Sequence, residues 1–117
     1  MKNNHVFYEM NAFGNVAGRI VSSDPLPAGK AHIVLKLAPD SVQKVELFED
    51  PEVGSQPGSG TLLIDGKPEG TGRFTNVNGR SRETLDIGCD LGSAVVQEYQ
   101  SPNRFTGRVE RVTIQLN

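Results

Sequence analysis

The chain has 117 residues, of which 36% are hydrophobic and 6% aromatic, with no tryptophan and a formal net charge of −2. This length suits one small domain, and the interspersed charges offer no basic surface for nucleic acid or an anionic membrane. No apolar run approaches the roughly 18 residues of a membrane span. The opening residues lack the apolar core of a signal peptide, so the compartment stays unknown. The single cysteine excludes an internal disulfide.

Alternating apolar and polar residues predict strands in the first half of the chain. The stretch HVFYEMN places Val6, Tyr8 and Met10 on one face of a strand, with apolar character on the other face as well.

After the turn-rich SSDPLPAGK, the stretch AHIVLKLA predicts a strand with Ile33, Leu35 and Leu37 on one side. A further strand candidate is VQKVELFED, although its apolar spacing also suits one helical turn.

A hairpin is predicted over TLLIDGKPEGTGRF. Asp65 and Gly66 supply the two positive-φ positions of a tight turn, and Pro68 requires an outer strand because it lacks a backbone N–H. The preceding glycine-, serine- and proline-rich stretch predicts a loop or linker at about 49–60.

The end of the chain carries two more alternating stretches, ETLDIG and RVTIQL. In RVTIQL, Val112, Ile114 and Leu116 share one face. Val109 is out of phase with them, which predicts a bulge near Glu110–Arg111.

Seven or eight short strands with frequent turns predict an all-β chain, an antiparallel β-sandwich forming a single domain over 1–117. A strand begins within a few residues of Met1 with no element before it. We therefore expect the sandwich to be incomplete at its N-terminus, with open strand edges that favour association.

Cys89 lies in DIGCDLGS between Asp86 and Asp90. Neighbouring carboxylates disfavour the thiolate that a nucleophile needs, so a structural cysteine is the favoured interpretation. The two aspartates could instead hold calcium, but their spacing does not match an EF-hand loop. No catalytic residue and no cofactor is predicted.

Basic and aromatic residues near the C-terminus offer a binding surface. Arg104 and Arg108 could contact an anionic partner, and Tyr99 could stack on a sugar ring. The alternative is that they are solvated or packing side chains of the sandwich.

The chain resembles the C-terminal, non-catalytic region of bacterial arylsulfatases from His5 onwards. Five stretches carry the resemblance: VFYEMNAFG, SSDPLPAGKAHIVLKL, GSGTLLIDGKPEGTGRF, ETLDIGCDLGSAV and SPNRFTGRVERVTIQL. It implies a concanavalin A-like, jelly-roll sandwich that follows an alkaline-phosphatase-like catalytic domain, with further strands before HVFYEMN.

The sulfatase aldehyde nucleophile arises from a Cys/Ser-x-Pro-x-Arg motif, which this chain lacks. After Cys89, Leu91 replaces the proline and Ser93 replaces the arginine. DIGCDLGS is therefore predicted to connect two strands of an accessory sandwich.

These observations predict a non-catalytic sandwich that stabilises or completes a sulfatase catalytic domain. The expected partner is that domain or an identical chain. The alternative is a free-standing module that binds acidic or sulfated carbohydrate, and an enzyme in its own right is disfavoured.

Overall fold

The computed structural model describes residues 1, 3–12, 15–41, 56–77, 89–90, 100 and 103–115. They form antiparallel sheets without a helix, which confirms the predicted all-β class. The chain divides into two compact units, Met1–Arg80 and Ser81–Asn117. The strands in chain order are β1 (Phe7–Ala12), β2 (Asn15–Val21), β3 (Ile33–Pro39), β4 (Gly58–Ile64), β5 (Lys67–Phe74), β6 (Cys89–Asp90) and β7 (Asn103–Arg104).

Strands β1 and β2 form a hairpin in which Phe7 pairs with Val21. The first strand was predicted, whereas β2 was missed, although Val16, Gly18 and Ile20 alternate along it. The register shifts after Met10 and leaves Ala17 as an extra residue between paired neighbours, which is a β-bulge.

Strands β3, β4 and β5 form an antiparallel sheet in that order. Asp65 and Gly66 have φ values of 51° and 81°, so the predicted tight turn between β4 and β5 is confirmed. Pro68 lies in β5, an outer strand of this sheet, as its missing N–H requires. Leu63 pairs with Pro68 whereas Leu62 pairs with Gly70, so Glu69 is the extra residue of a second bulge.

The core of the first unit consists of Ile20, Leu62 and Phe74. Partly buried residues pack around them: Val6, Tyr8, Met10, Leu35 and Val77. The ring of Tyr8 lies 5.7 Å from that of Phe74, centroid to centroid. The predicted inward face of β1 is therefore correct.

Glycine lets β2 approach β5 closely. A Cβ atom on Gly70 would lie 2.8 Å from both the Val21 carbonyl oxygen and Ile20 Cγ2. Such a contact is too short for real atoms, so Gly70 is required by the close approach of the two backbones.

The predicted loop at 49–60 ends too late, because Gly58–Gly60 belong to β4. Their composition resembles a loop, yet a Cβ on Gly60 would lie 2.7 Å from Ile20 Cδ1, so this strand needs a glycine to admit the core side chain. Residues 49–55, together with VQKVELFED and ETLDIG, lie outside the described residues.

The second unit corrects the interpretation of DIGCDLGS as a connection. Cys89 and Asp90 form β6, which pairs with β7 so that Cys89 opposes Arg104 and Asp90 opposes Asn103. Two residues suffice for this ladder, which is too short to produce a recognisable alternation.

The predicted final strand is wrong over its described residues. Residues 108–115 belong to no strand, so the predicted bulge near Glu110–Arg111 is also wrong, and the side chains of this stretch are exposed. Alternation specifies which face of a strand is apolar, but a strand forms only when another supplies backbone partners. Within the described part of the chain, none does so here.

Candidate functional site

Polar side chains from three parts of the first unit meet where β2 ends beside β5. We call this group the polar clasp; its members are His5, Ser22, Ser23, Asp24, Lys67 and Glu69. The serines and Asp24 directly follow β2, whereas Lys67 and Glu69 lie in β5. Residues 17 to 64 positions apart in the sequence are thereby joined.

Glu69 is the centre of the clasp. Its side chain is only 5% exposed, and its carboxylate accepts hydrogen bonds from Ser23 Oγ at 2.5 Å and from the Asp24 backbone N–H at 3.0 Å. Lys67 Nζ lies 2.9 Å from the other carboxylate oxygen. The bond from Lys67, then those from Ser23 and Asp24, lower the pKa of Glu69 from 4.5 to about 2.

Lys67 also bonds the Asp24 carboxylate at 3.0 Å. Hydrogen bonding to Glu69, and then to Asp24, raises the pKa of the ammonium group above its ordinary value. The cation is therefore held by two carboxylates, so the clasp is close to charge-balanced.

The two β-bulges position the backbone of the clasp. The Glu69 carbonyl accepts the N–H of Ser23 at 2.8 Å, and the Ala17 carbonyl accepts the N–H of Thr75 at 2.9 Å. Each acceptor is the extra residue of its bulge and has no partner in its own ladder. Each bulge therefore provides a carbonyl that holds β2 and β5 together.

Ser22 and His5 are a serine and a histidine in proximity, but their bonds are those of a structural pair. A carbonyl oxygen only accepts, so His5 Nδ1, 2.9 Å from the Ser22 carbonyl, carries a proton and donates it there. The Ser22 hydroxyl accepts the Val6 N–H at 3.0 Å and donates to the Asp24 carbonyl at 2.7 Å. Nδ1 therefore cannot act as a base toward this hydroxyl, 3.4 Å away.

A second charged contact lies on the surface. Both guanidinium nitrogens of Arg73 bond the Asp40 carboxylate, at 2.8 and 2.5 Å. These bonds lower the pKa of Asp40, and both side chains are largely exposed. The pair links β5 to the end of β3 across β4, and solvent screening limits its contribution to stability.

The residues predicted to bind ligands are only partly described. Arg104 in β7 and Arg108 after it are both exposed. Tyr99 and Asp86 lie outside the described residues, and Asp90 is described through its pairing in β6 alone. The structure therefore does not test the carbohydrate surface or the calcium pair.

Comparison with protein-family models, curated proteins and solved structures finds no match to this chain. Within the described ranges, no three His, Cys, Asp or Glu side chains are grouped as metal ligands. The same ranges contain no helix with the length and apolarity of a membrane span.

The sequence analysis missed the polar clasp. A signal was present, since SSDP is a typical turn sequence, and Lys67 and Glu69 follow the Asp65–Gly66 turn. Nothing in the sequence links these two stretches, because a side chain–side chain bond 46 residues apart depends on the tertiary fold. Chemically, the clasp can hold two strands together; its hydroxyl groups and carboxylates are already bonded.

Proposed function

We propose that this chain is a non-catalytic accessory β-module of an arylsulfatase-type sulfatase, which stabilises or completes the catalytic domain. The resemblance of five stretches to the C-terminal region of those enzymes supports the partner. The antiparallel all-β architecture supports the fold. The concanavalin A-like, jelly-roll form of the sandwich is part of the same proposal.

The observation that carries the proposal is the bonding of the polar clasp. Ser22, His5 and Glu69 are residue types that enzymes use as nucleophile, base and acid. Here each one bonds groups at the junction of β2 and β5. These bonds stabilise the fold, which is what a supporting module requires.

Co-expression with a sulfatase encoded beside this chain tests the proposal. The sulfatase should carry an intact Cys/Ser-x-Pro-x-Arg motif, and the matched control is a sulfatase encoded elsewhere in the same genome. We expect the neighbouring enzyme alone to co-purify with the module, and its melting temperature to rise. Failure to associate, or hydrolysis of a chromogenic aryl sulfate by the isolated module, would contradict the proposal.

The second candidate function is binding of acidic or sulfated carbohydrate. It is favoured by the exposure of Arg104 and Arg108 on either side of the partly exposed ring of Phe105. A glycan array probed with the chain and with Arg104→Ala and Tyr99→Ala tests this function. The control is Arg73→Ala, which removes an exposed arginine of the first unit. Binding that is lost in the first two variants alone supports a carbohydrate surface, and a blank array contradicts it.

A further inference from the structure

The outer edge of β3 lies beside apolar side chains that its own sheet leaves uncovered. β3 pairs with β4 on one side, and in the described part of the chain no strand pairs with its other side. Ile33 is 43% exposed and Leu37 is also exposed, although Leu35 between them packs against the core. An edge strand with exposed apolar residues is a template for a further strand.

The described end of the chain has the opposite deficiency. Residues 108–115 have the alternation of a strand, yet Val112 is 50% and Ile114 is 64% exposed, and no described strand pairs with this stretch. We call 108–115 the C-terminal segment. Side chains two residues apart share a face when such a stretch is extended. Val112 and Ile114 therefore match the spacing of the apolar residues of β3.

Charge favours a second copy of this chain as the partner of the segment. Residues 103–115 carry three arginines and one glutamate, a net charge of +2. Since the whole chain has a net charge of −2, the remainder carries −4. A basic segment is thus attracted to the acidic remainder of another copy, which contains β3.

We propose that two copies associate by reciprocal strand addition, in which the C-terminal segment of each copy pairs with the outer edge of β3 in the other. Both unpaired backbones gain partners, and the apolar faces cover each other. Because the contact is the same in both directions, the assembly closes as a dimer. This self-association is independent of the sulfatase partner proposed above.

Sedimentation velocity of the full chain over a range of concentrations tests the proposal. We expect a monomer–dimer equilibrium that Ile114→Lys weakens at least tenfold in Kd, because a charge would replace an apolar side chain in the contact. Thr113→Lys is the matched control for the segment, since it adds the same charge to the opposite face. It should leave Kd within threefold of wild type.

The β3 side has its own pair of variants. Ile33→Lys should weaken the dimer at least tenfold, whereas Val16→Lys, which changes an exposed valine in β2, should not. Far-UV circular dichroism establishes that each variant folds, and Ile33→Thr replaces Ile33→Lys if the latter does not. A monomer at all concentrations, or a dimer insensitive to changes at either Ile33 or Ile114, would overturn the proposal.

Discussion

Ser23 binds Glu69 twice: its backbone N–H donates to the Glu69 carbonyl at 2.8 Å, and its hydroxyl donates to the Glu69 carboxylate at 2.5 Å. The bulge in β5 makes both bonds available, because it leaves Glu69 without a partner in β4. The sheet formed by β3, β4 and β5 is thereby fixed to the hairpin of β1 and β2. We expect the stability of the first unit to depend strongly on this contact.

Replacing Ser23 with alanine should lower the melting temperature by several degrees, because a buried carboxylate would lose one of its donors. Thermal unfolding followed by circular dichroism measures the change. Ser59→Ala is the matched control, since Ser59 is an exposed serine of β4. Equal melting temperatures for the two variants would show that the hydroxyl of Ser23 contributes nothing.

Acid should weaken the fold through Glu69. Its folded pKa of about 2 lies below its ordinary value of 4.5, so the stabilisation is complete above pH 4.5 and is lost as the pH falls toward 2. Unfolding experiments between pH 6 and pH 2 should therefore show a smaller decline in the unfolding free energy for Glu69→Gln than for wild type. Glu110→Gln, which changes an exposed glutamate of the second unit, should retain the wild-type decline. Parallel curves for wild type and Glu69→Gln would contradict the assignment.

The close approach of β2 and β5 predicts that Gly70→Ala is destabilising. The added methyl group would meet the Val21 carbonyl and Ile20, so we expect a loss of about 1–3 kcal/mol, typical of an overpacked interior. Urea denaturation provides the measurement, with Thr71→Ala as the control at an exposed position of the same strand. A loss for Gly70→Ala no larger than that of the control would mean that β2 can move away from β5 without cost.

Ile20 should be among the residues on which the core depends most. It is 2% exposed and contacts the glycine-rich surface of β4 and β5, so Ile20→Ala should cost about 2–5 kcal/mol. That is a large share of the roughly 5–15 kcal/mol that stabilises a typical domain. Ile33→Ala makes the same chemical change at an exposed position and should cost well under 1 kcal/mol in monomeric protein. Similar losses in urea denaturation would place the core elsewhere.

Local patterns predicted several elements because their signals lie within a few residues. Alternation identified β1 and β3, and Asp65–Gly66 identified the turn between β4 and β5. β2 was missed because its glycine and the bulge at Ala17 interrupt the alternation. The strand predicted over RVTIQL failed for the opposite reason, because a clear alternation lacks a described partner.

By itself, the sequence determined the all-β class, the position of the tight turn and the placement of Pro68 in an outer strand, because these follow from backbone φ preferences and from a missing N–H group. Only the tertiary structure decided that Gly60 and Gly70 admit Ile20, and that Ser23 meets Glu69. Those contacts join residues tens of positions apart, and they form only once two bulges have freed the carbonyls that bring β2 against β5.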